Sequence, residues 1–153
     1  MKAIGIGLAI AALASGAHAQ QFTISWTSHL VNQINAPVTG GSDVGAVFTE
    51  INGQVLSGGQ KIPITGQCAT WTAPPGQIFE RNGVCMTAGP NGGKASFVYG
   101  CDWDSKEHTG SACWGFLSGL GGPVDKRVGQ ASWHLVIHPD RKSADVTGSG
   151  QWN

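Results

Sequence analysis

The sequence predicts an all-β protein, folded as a single small antiparallel barrel. Twenty-four glycines and seven prolines leave little room for helices, because both residue types disfavour helix interiors. Short segments also alternate apolar with polar residues, as half-buried strands do. A barrel is the natural form for a meander of such strands because closure removes exposed edges, and a two-sheet sandwich is the alternative.

The first nineteen residues have the order of a secretory signal peptide. Lys2 precedes an apolar run that ends near Ala14, and the small residues Ala17 and Ala19 follow. We expect cleavage after Ala19 and export to the periplasm or the cell exterior. Residues 20–153 then form one domain, and they contain no apolar stretch of the roughly 18 residues that a membrane span requires.

The charges of the chain are balanced, with nine Lys plus Arg against nine Asp plus Glu. Without a basic run, neither nucleic acid nor an anionic membrane surface is the expected partner. A small apolar or aromatic ligand, held by shape and apolar contact, fits better. Nothing in the sequence decides the oligomeric state.

Four cysteines lie in the exported part of the chain, and an even count in an oxidising compartment indicates disulfides. Four cysteines allow three pairings, and the sequence alone cannot choose among them. We prefer Cys68 with Cys85 and Cys101 with Cys113, since each bridge would join neighbouring strands or a strand to its loop. The intervals between the cysteines do not suit a zinc site, which needs closely spaced pairs.

The first strand of the domain is predicted in QFTISWTS, where Phe22, Ile24 and Trp26 alternate with polar residues. The pattern then loosens, and residues 28–35 are expected to form a short helical turn before a loop at 37–43. Further strands are predicted in VGAVFTEI (44–51), KIPITGQCATW (61–71) and QIFER (77–81).

Glycine-rich pairs predict the turns between later strands. Asn82-Gly83 is expected to be a two-residue hairpin turn, and GPNGG at 89–93 another turn. KASFVYGCDW at 94–103 then reads as a strand whose odd-numbered residues, Ala95 to Trp103, face the core. GFLSGLGGP at 115–123 is interpreted as a glycine-rich loop.

Three similar pieces, GSACW, GQASW and GSGQW, place Trp114, Trp133 and Trp152 nineteen residues apart. Two strands of six to seven residues with two short connections have about this length. We therefore expect the pieces on alternate strands of the meander, with the three rings buried on the same side of the sheet.

The segment ASWHLVIH predicts a strand in which Trp133, Leu135 and Ile137 face one way and His134 and His138 the other. Four residues along a strand span about 13 Å, so the two histidines cannot bind one metal ion. Outward-facing histidines are the simplest interpretation.

No motif for a cofactor, a metal or a catalytic nucleophile is present. The acidic residues of DWDSKEH at 102–108 lack the glycine and glutamate of a calcium loop. The chain has no G-x-S-x-G, and no crossover helix follows its glycine-rich segments. A non-catalytic role is therefore favoured, either in binding a small apolar or aromatic ligand or in acting through the surface of the barrel.

The six tryptophans are the most suggestive feature, since such rings wall ligand pockets. They could equally fill the core of a small barrel. The candidate ligand-binding residues are Trp71, Trp103, Trp114, His134 and His138.

The stretch from Gly66 to Asn153 resembles secreted bacterial relatives of the allene oxide cyclase and dirigent type of barrel. The resemblance lies in GQCATWTAPPGQIFERNGVC, GPNGGKASFVYGC, CWGFLSGLGG and TGSGQW. It implies an antiparallel barrel of about eight strands with an apolar interior. It also implies an alternative function, that of a cyclase or isomerase, since the plant enzymes of the group cyclise an unsaturated epoxide.

Overall fold

The computed structural model describes residues 19–37, 44–74 and 76–153. Each strand pairs antiparallel with the next, and the last pairs with the first, so the sheet is a closed barrel. The predicted all-β barrel is confirmed, with a simple meander topology. The eight strands are β1 (Gln20–Ala36), β2 (Val44–Ser57), β3 (Gln60–Thr72), β4 (Arg81–Ala88), β5 (Lys94–Trp103), β6 (Gly110–Gly121), β7 (Val128–Ile137) and β8 (Ser143–Trp152).

Two predicted segments fall mostly outside the described residues. The predicted signal peptide at 1–19 does so except for its last residue, Ala19. The predicted loop at 37–43 does so except for its first residue. In the part of the chain that the structure describes, no helix is long and apolar enough to cross a membrane.

The alternation of side chains along the strands is confirmed where the sequence pattern was clear. In β1, Phe22, Ile24 and Trp26 are buried, and in β5 the same holds for Ala95, Phe97, Tyr99 and Cys101. Their neighbours in sequence face outward, as the two-residue repeat of a strand requires.

The helical turn predicted at 28–35 is wrong, because β1 continues to Ala36 and pairs with β2 throughout. A register shift between Leu30 and Asn32 interrupts the alternation. Such a bulge inserts an extra residue into one strand, so the sequence pattern loosens although the strand goes on.

The hairpin turn predicted at Asn82-Gly83 is also wrong, since both residues lie inside β4. Gly83 is used for a close approach: a Cβ at this position would collide with the ring of Tyr99 on β5. Consequently the strand predicted at 77–81 contributes only Arg81 to the sheet, and residues 73–80 connect β3 to β4.

The two other glycine-rich segments have different outcomes. The turn at 89–93 is confirmed, with Asn91 and Gly92 at positive φ. The loop predicted at 115–123 is mostly strand, because β6 extends to Gly121 and only a 3-10 turn, Gly122–Val124, follows. The backbone of Val124 folds back against Gly119, so a Cβ at this position would collide with it.

The three similar pieces do not lie on alternate strands, as predicted, but on the consecutive strands β6, β7 and β8. Trp133 and Trp152 are buried inside the barrel, whereas Trp114 faces outward and is 38% exposed. The inward partner of Trp133 on β6 is Cys113, so the next residue, Trp114, must point the other way.

Both disulfides form in the preferred pairing. Cys68–Cys85 joins β3 to β4, and Cys101–Cys113 joins β5 to β6. In each case the two cysteines are direct partners in the strand register, so each bridge links neighbouring strands on the inner face.

Candidate functional site

Three aromatic side chains form a layer across the middle of the barrel. The ring centroid of Trp26 lies 6.0 Å from that of Phe97 and 6.5 Å from that of Trp133, and Phe97 and Trp133 are 5.8 Å apart. All three rings line a cavity on each side of the layer. The barrel interior is thus divided into two chambers that open at opposite ends.

The first chamber, here called the Trp152 cavity, encloses about 460 Å³ at the end where β8 finishes. Its walls are mostly apolar, and Val124 from the connection between β6 and β7 packs against them. The ring of Trp152 lies 5.9 Å from that of Phe22 and covers one side. Other apolar wall residues are Ile24, Val55, Ile62, Ile64, Ala95 and Leu117.

The second chamber, the Arg81 cavity, encloses about 350 Å³ at the end where β4 begins. The two disulfides form part of its wall. Several polar side chains that point into the barrel also line it. These are Ser28, Thr49, Thr70, Thr72, Arg81 and Tyr99.

The guanidinium group of Arg81 is fixed by two contacts. Its central carbon lies 3.6 Å from the centroid of the Trp103 ring, and Nη2 donates a hydrogen bond to Oγ of the fully buried Ser111. Its Nε–H is buried and finds no acceptor among the residues that the structure describes. Burying an unsatisfied donor costs about 1–3 kcal/mol, so this arrangement is not optimised for stability alone.

Burial lowers the pKa of the Arg81 guanidinium from its ordinary value, and the negative charges of an ionised Tyr99 and of Glu80 act in the opposite direction. An arginine side chain nevertheless keeps its proton in proteins. The Arg81 cavity therefore holds a permanent cation.

Tyr99 is the second polar group deep in this chamber. Its hydroxyl shares a hydrogen bond of 2.5 Å with Oγ1 of Thr70. Burial raises the pKa of the Tyr99 phenol above its ordinary value, while the Thr70 hydrogen bond and the charge of Arg81 work to lower it. The phenol is therefore neutral at physiological pH and available as a hydrogen-bonding group.

The charged residues are distributed unevenly between the cavities and the outer surface. Of the described residues that line the two cavities, none is an aspartate or a glutamate. The described charged residues that line both chambers are thus all cations, although the chain as a whole is neutral. The lining cations are Arg81, Arg141 and Lys142 at one end and Lys61, Lys94 and Arg127 at the other.

The structure brings two of the five predicted ligand-binding residues to one chamber. Trp103 lines the Arg81 cavity and stacks on His108 at a centroid distance of 4.4 Å. Trp71 lies at the rim of the same cavity and is 41% exposed.

The other three predicted residues line neither cavity. Trp114 contacts Phe116 on the outer surface, with ring centroids 4.4 Å apart. His134, which faces outward as expected, lies 2.8 Å from a carboxylate oxygen of Asp104. His138, just past the end of β7, lies 3.0 Å from a carboxylate oxygen of Asp145.

Arg81 and Tyr99 are the residues that the sequence analysis did not single out. The alternation Arg81, Gly83, Cys85 would have placed the arginine on the cysteine-bearing inner face of a strand. Interpreting Asn82-Gly83 as a turn hid this pattern.

The structure is a closed eight-stranded meander barrel with an interior cavity at each end. No protein-family model matches the chain, and no curated protein matches it either.

Proposed function

We propose that this protein is an exported, non-catalytic barrel that binds a small apolar or aromatic ligand in the Trp152 cavity. The observation that carries the proposal is the chamber of about 460 Å³ walled by apolar side chains and floored by aromatic rings. Small-molecule sites are concave and mostly apolar with a few polar groups, and this chamber has that character.

The export part of the proposal rests on the signal-peptide pattern of residues 1–19. The two disulfides are in keeping with it, since such bridges persist in oxidising compartments outside the cytosol.

Binding is tested with N-phenyl-1-naphthylamine, a neutral aromatic probe whose fluorescence rises in apolar surroundings. We expect saturable enhancement with the purified protein. The variant Val55→Trp introduces a large ring from an inward position of β2 and should abolish the signal by filling the chamber. The matched control is Leu56→Trp, since this neighbouring side chain is 41% exposed on the outer face.

Thermal melts of both variants show whether they are folded. Equal binding by the two folded variants would refute the Trp152 cavity as the site. Absence of any saturable signal from the unmodified protein would refute the proposal for this class of ligand.

A cyclase- or isomerase-type enzyme is the second candidate, because Arg81 and Tyr99 place a cation and a phenol inside the barrel. Such groups can stabilise charge that develops in a transition state. The test is the conversion of an unsaturated fatty-acid epoxide, followed by chromatography of the cyclised product. A rate equal to that in buffer alone would eliminate this candidate for that substrate.

A further inference from the structure

We propose that the Arg81 cavity is a second binding site, which takes the carboxylate group of a small aromatic acid. This site is separate from the Trp152 cavity, because the layer of Trp26, Phe97 and Trp133 lies between them.

The first argument is that no described carboxylate forms an ion pair with the guanidinium of Arg81, although Glu80 is near enough to act on its pKa. Among the described residues the ion pairs are His134 with Asp104 and His138 with Asp145, both at the surface. Glu80 precedes Arg81 in the chain, but its carboxylate accepts the backbone N–H of Trp103 at 2.8 Å. A buried charge is ordinarily paired, so the protein leaves the negative partner to be supplied from outside.

The second argument is the unused hydrogen-bonding capacity of the guanidinium. It carries five N–H donors, and the hydrogen bonds formed within the described residues occupy Nη2 alone. Contact with the Trp103 ring and the hydrogen bond to Ser111 hold the group in place before any ligand arrives. A planar guanidinium fixed in this way suits the two oxygens of a carboxylate.

The third argument is the charge of the surrounding wall. Arg141 and Lys142 also line this cavity, and no described acidic residue does. The field at the mouth therefore favours entry of an anion and disfavours a cation.

The fourth argument concerns the body of the ligand. The rings of Tyr99, Phe97 and Trp133 form part of the chamber wall, and Trp133 meets each of the other two edge to face. Aromatic side chains prefer an aromatic neighbour in such arrangements. A volume of about 350 Å³ accommodates one or two fused rings with a carboxylate attached.

The direct test compares two probes of nearly equal shape on the unmodified protein. Isothermal titration calorimetry is performed with 1-naphthoate and with 1-naphthamide, which lacks the charge. We expect the carboxylate to bind at least tenfold more tightly, the ratio typical of a hydrogen bond to a charged group. Equal affinity, tighter binding of the amide, or no binding of either would overturn the proposal.

A pair of variants then assigns the effect to Arg81. Arg81→Met keeps an unbranched side chain about as long as the aliphatic part of arginine and removes the charged guanidinium, and we expect it to weaken 1-naphthoate binding at least tenfold. The control, Lys106→Met, removes one positive charge from the same end of the barrel at an exposed position outside the cavity. Equal losses in both variants would show that only general electrostatic attraction operates.

The location is read independently from the indole N–H signals in a nitrogen-15 NMR spectrum. 1-Naphthoate should shift the signal of Trp103 and leave that of Trp152 in place, since these rings line different chambers. This measurement needs no variant, so it decides even if Arg81→Met fails to fold. Because N-phenyl-1-naphthylamine reports on the Trp152 cavity, failure of one site is distinguished from failure of the other.

Discussion

Trp133 lies directly against Gly148, its partner across β7 and β8. A Cβ on Gly148 would be 2.5 Å from Cβ of Trp133, a separation that real side chains do not adopt. The relationship is reciprocal, because Trp152 at the end of β8 faces Gly129 at the start of β7. The pieces GQASW and GSGQW therefore run antiparallel, and the tryptophan of each lies over the first glycine of the other.

Gly148→Ala should destabilise the protein by about 1–3 kcal/mol, the usual cost of overpacking a close contact. The matched control is Gly89→Ala, where the nearest atom to the new Cβ would be 3.5 Å away. The control should change the free energy of unfolding by less than about 0.5 kcal/mol. Urea denaturation followed by tryptophan fluorescence gives both values, and a cost at Gly148 no larger than at Gly89 would contradict the contact.

Truncation of Trp133 should be far more costly than truncation of Trp114. Trp133→Ala removes a buried ring that contacts Trp26, Phe97 and Tyr99, so we expect a loss of about 3–5 kcal/mol. Trp114→Ala removes a partly exposed ring on the outer face and should cost about 1 kcal/mol. Thermal melts compare the two, and equal shifts in Tm would mean that the rings are equivalent after all.

Tyr99 is the single tyrosine of the chain, so its titration can be followed by the ultraviolet absorbance of tyrosinate. Because burial raises the pKa of Tyr99, its phenol should ionise above pH 10 in the folded protein and near pH 10 in the urea-unfolded chain. A group whose pKa is higher in the folded state than in the unfolded state contributes its full stabilisation at pH values below the unfolded-state pKa. This contribution is lost as the pH rises through the folded-state pKa. Coincident transitions in the two states would contradict the burial of the phenol.

The variant Arg81→Met provides a check on the same titration. The positive charge of Arg81 lowers the pKa of Tyr99, so its removal should move the folded transition further upward. A downward movement would show that the two groups do not interact as the structure indicates.

The exported protein should have the mass of residues 20–153 less four hydrogens, and it should contain no free thiol. The paired change of Cys101 and Cys113 to serine should cost about 2–4 kcal/mol, because it releases a constraint on the unfolded chain. Peptide mapping without reduction checks the pairing. A retained residue 1–19 would refute the cleavage, and a labelled thiol would refute the bridges.

Much of the fold could be predicted because strand alternation is a local signal. Phe22, Ile24 and Trp26 sit on one face whatever the rest of the chain does. Glycine was harder to interpret, since it serves both turns and close contacts. Gly92 has the positive φ of a turn, whereas Gly83 makes room for a ring on the next strand.

The outward direction of the Trp114 side chain could not be predicted from the sequence. It depends on whether the number of residues in each connection is odd or even, because this number decides which residues of the next strand face inward. Across β6 and β7 the partners have numbers of equal parity, such as Cys113 and Trp133. Across β7 and β8 the parity differs, as in Trp133 and Gly148. An interval of nineteen residues therefore keeps the tryptophan on the inner face across β7 and β8, whereas across β6 and β7 it places the tryptophan on the outer face.

The candidate site was predicted only in part for a related reason. Aromatic residues are frequent ligand contacts and were predicted as such, and Trp103 does line a cavity. Arg81 was overlooked because a lone arginine in sequence indicates a solvated position. Only the assembled barrel shows that the side chain lies on the inner face against Trp103 and Ser111.

The pairing of β1 with β8 also fixes the order in which the chain can finish folding. Phe22 lies opposite Gly150, so the first strand cannot complete its ladder until β8 has emerged. A nascent chain on the ribosome, or one part-way through a translocation channel, must therefore remain open along this seam. The barrel can close only after β8 is free to pair with β1.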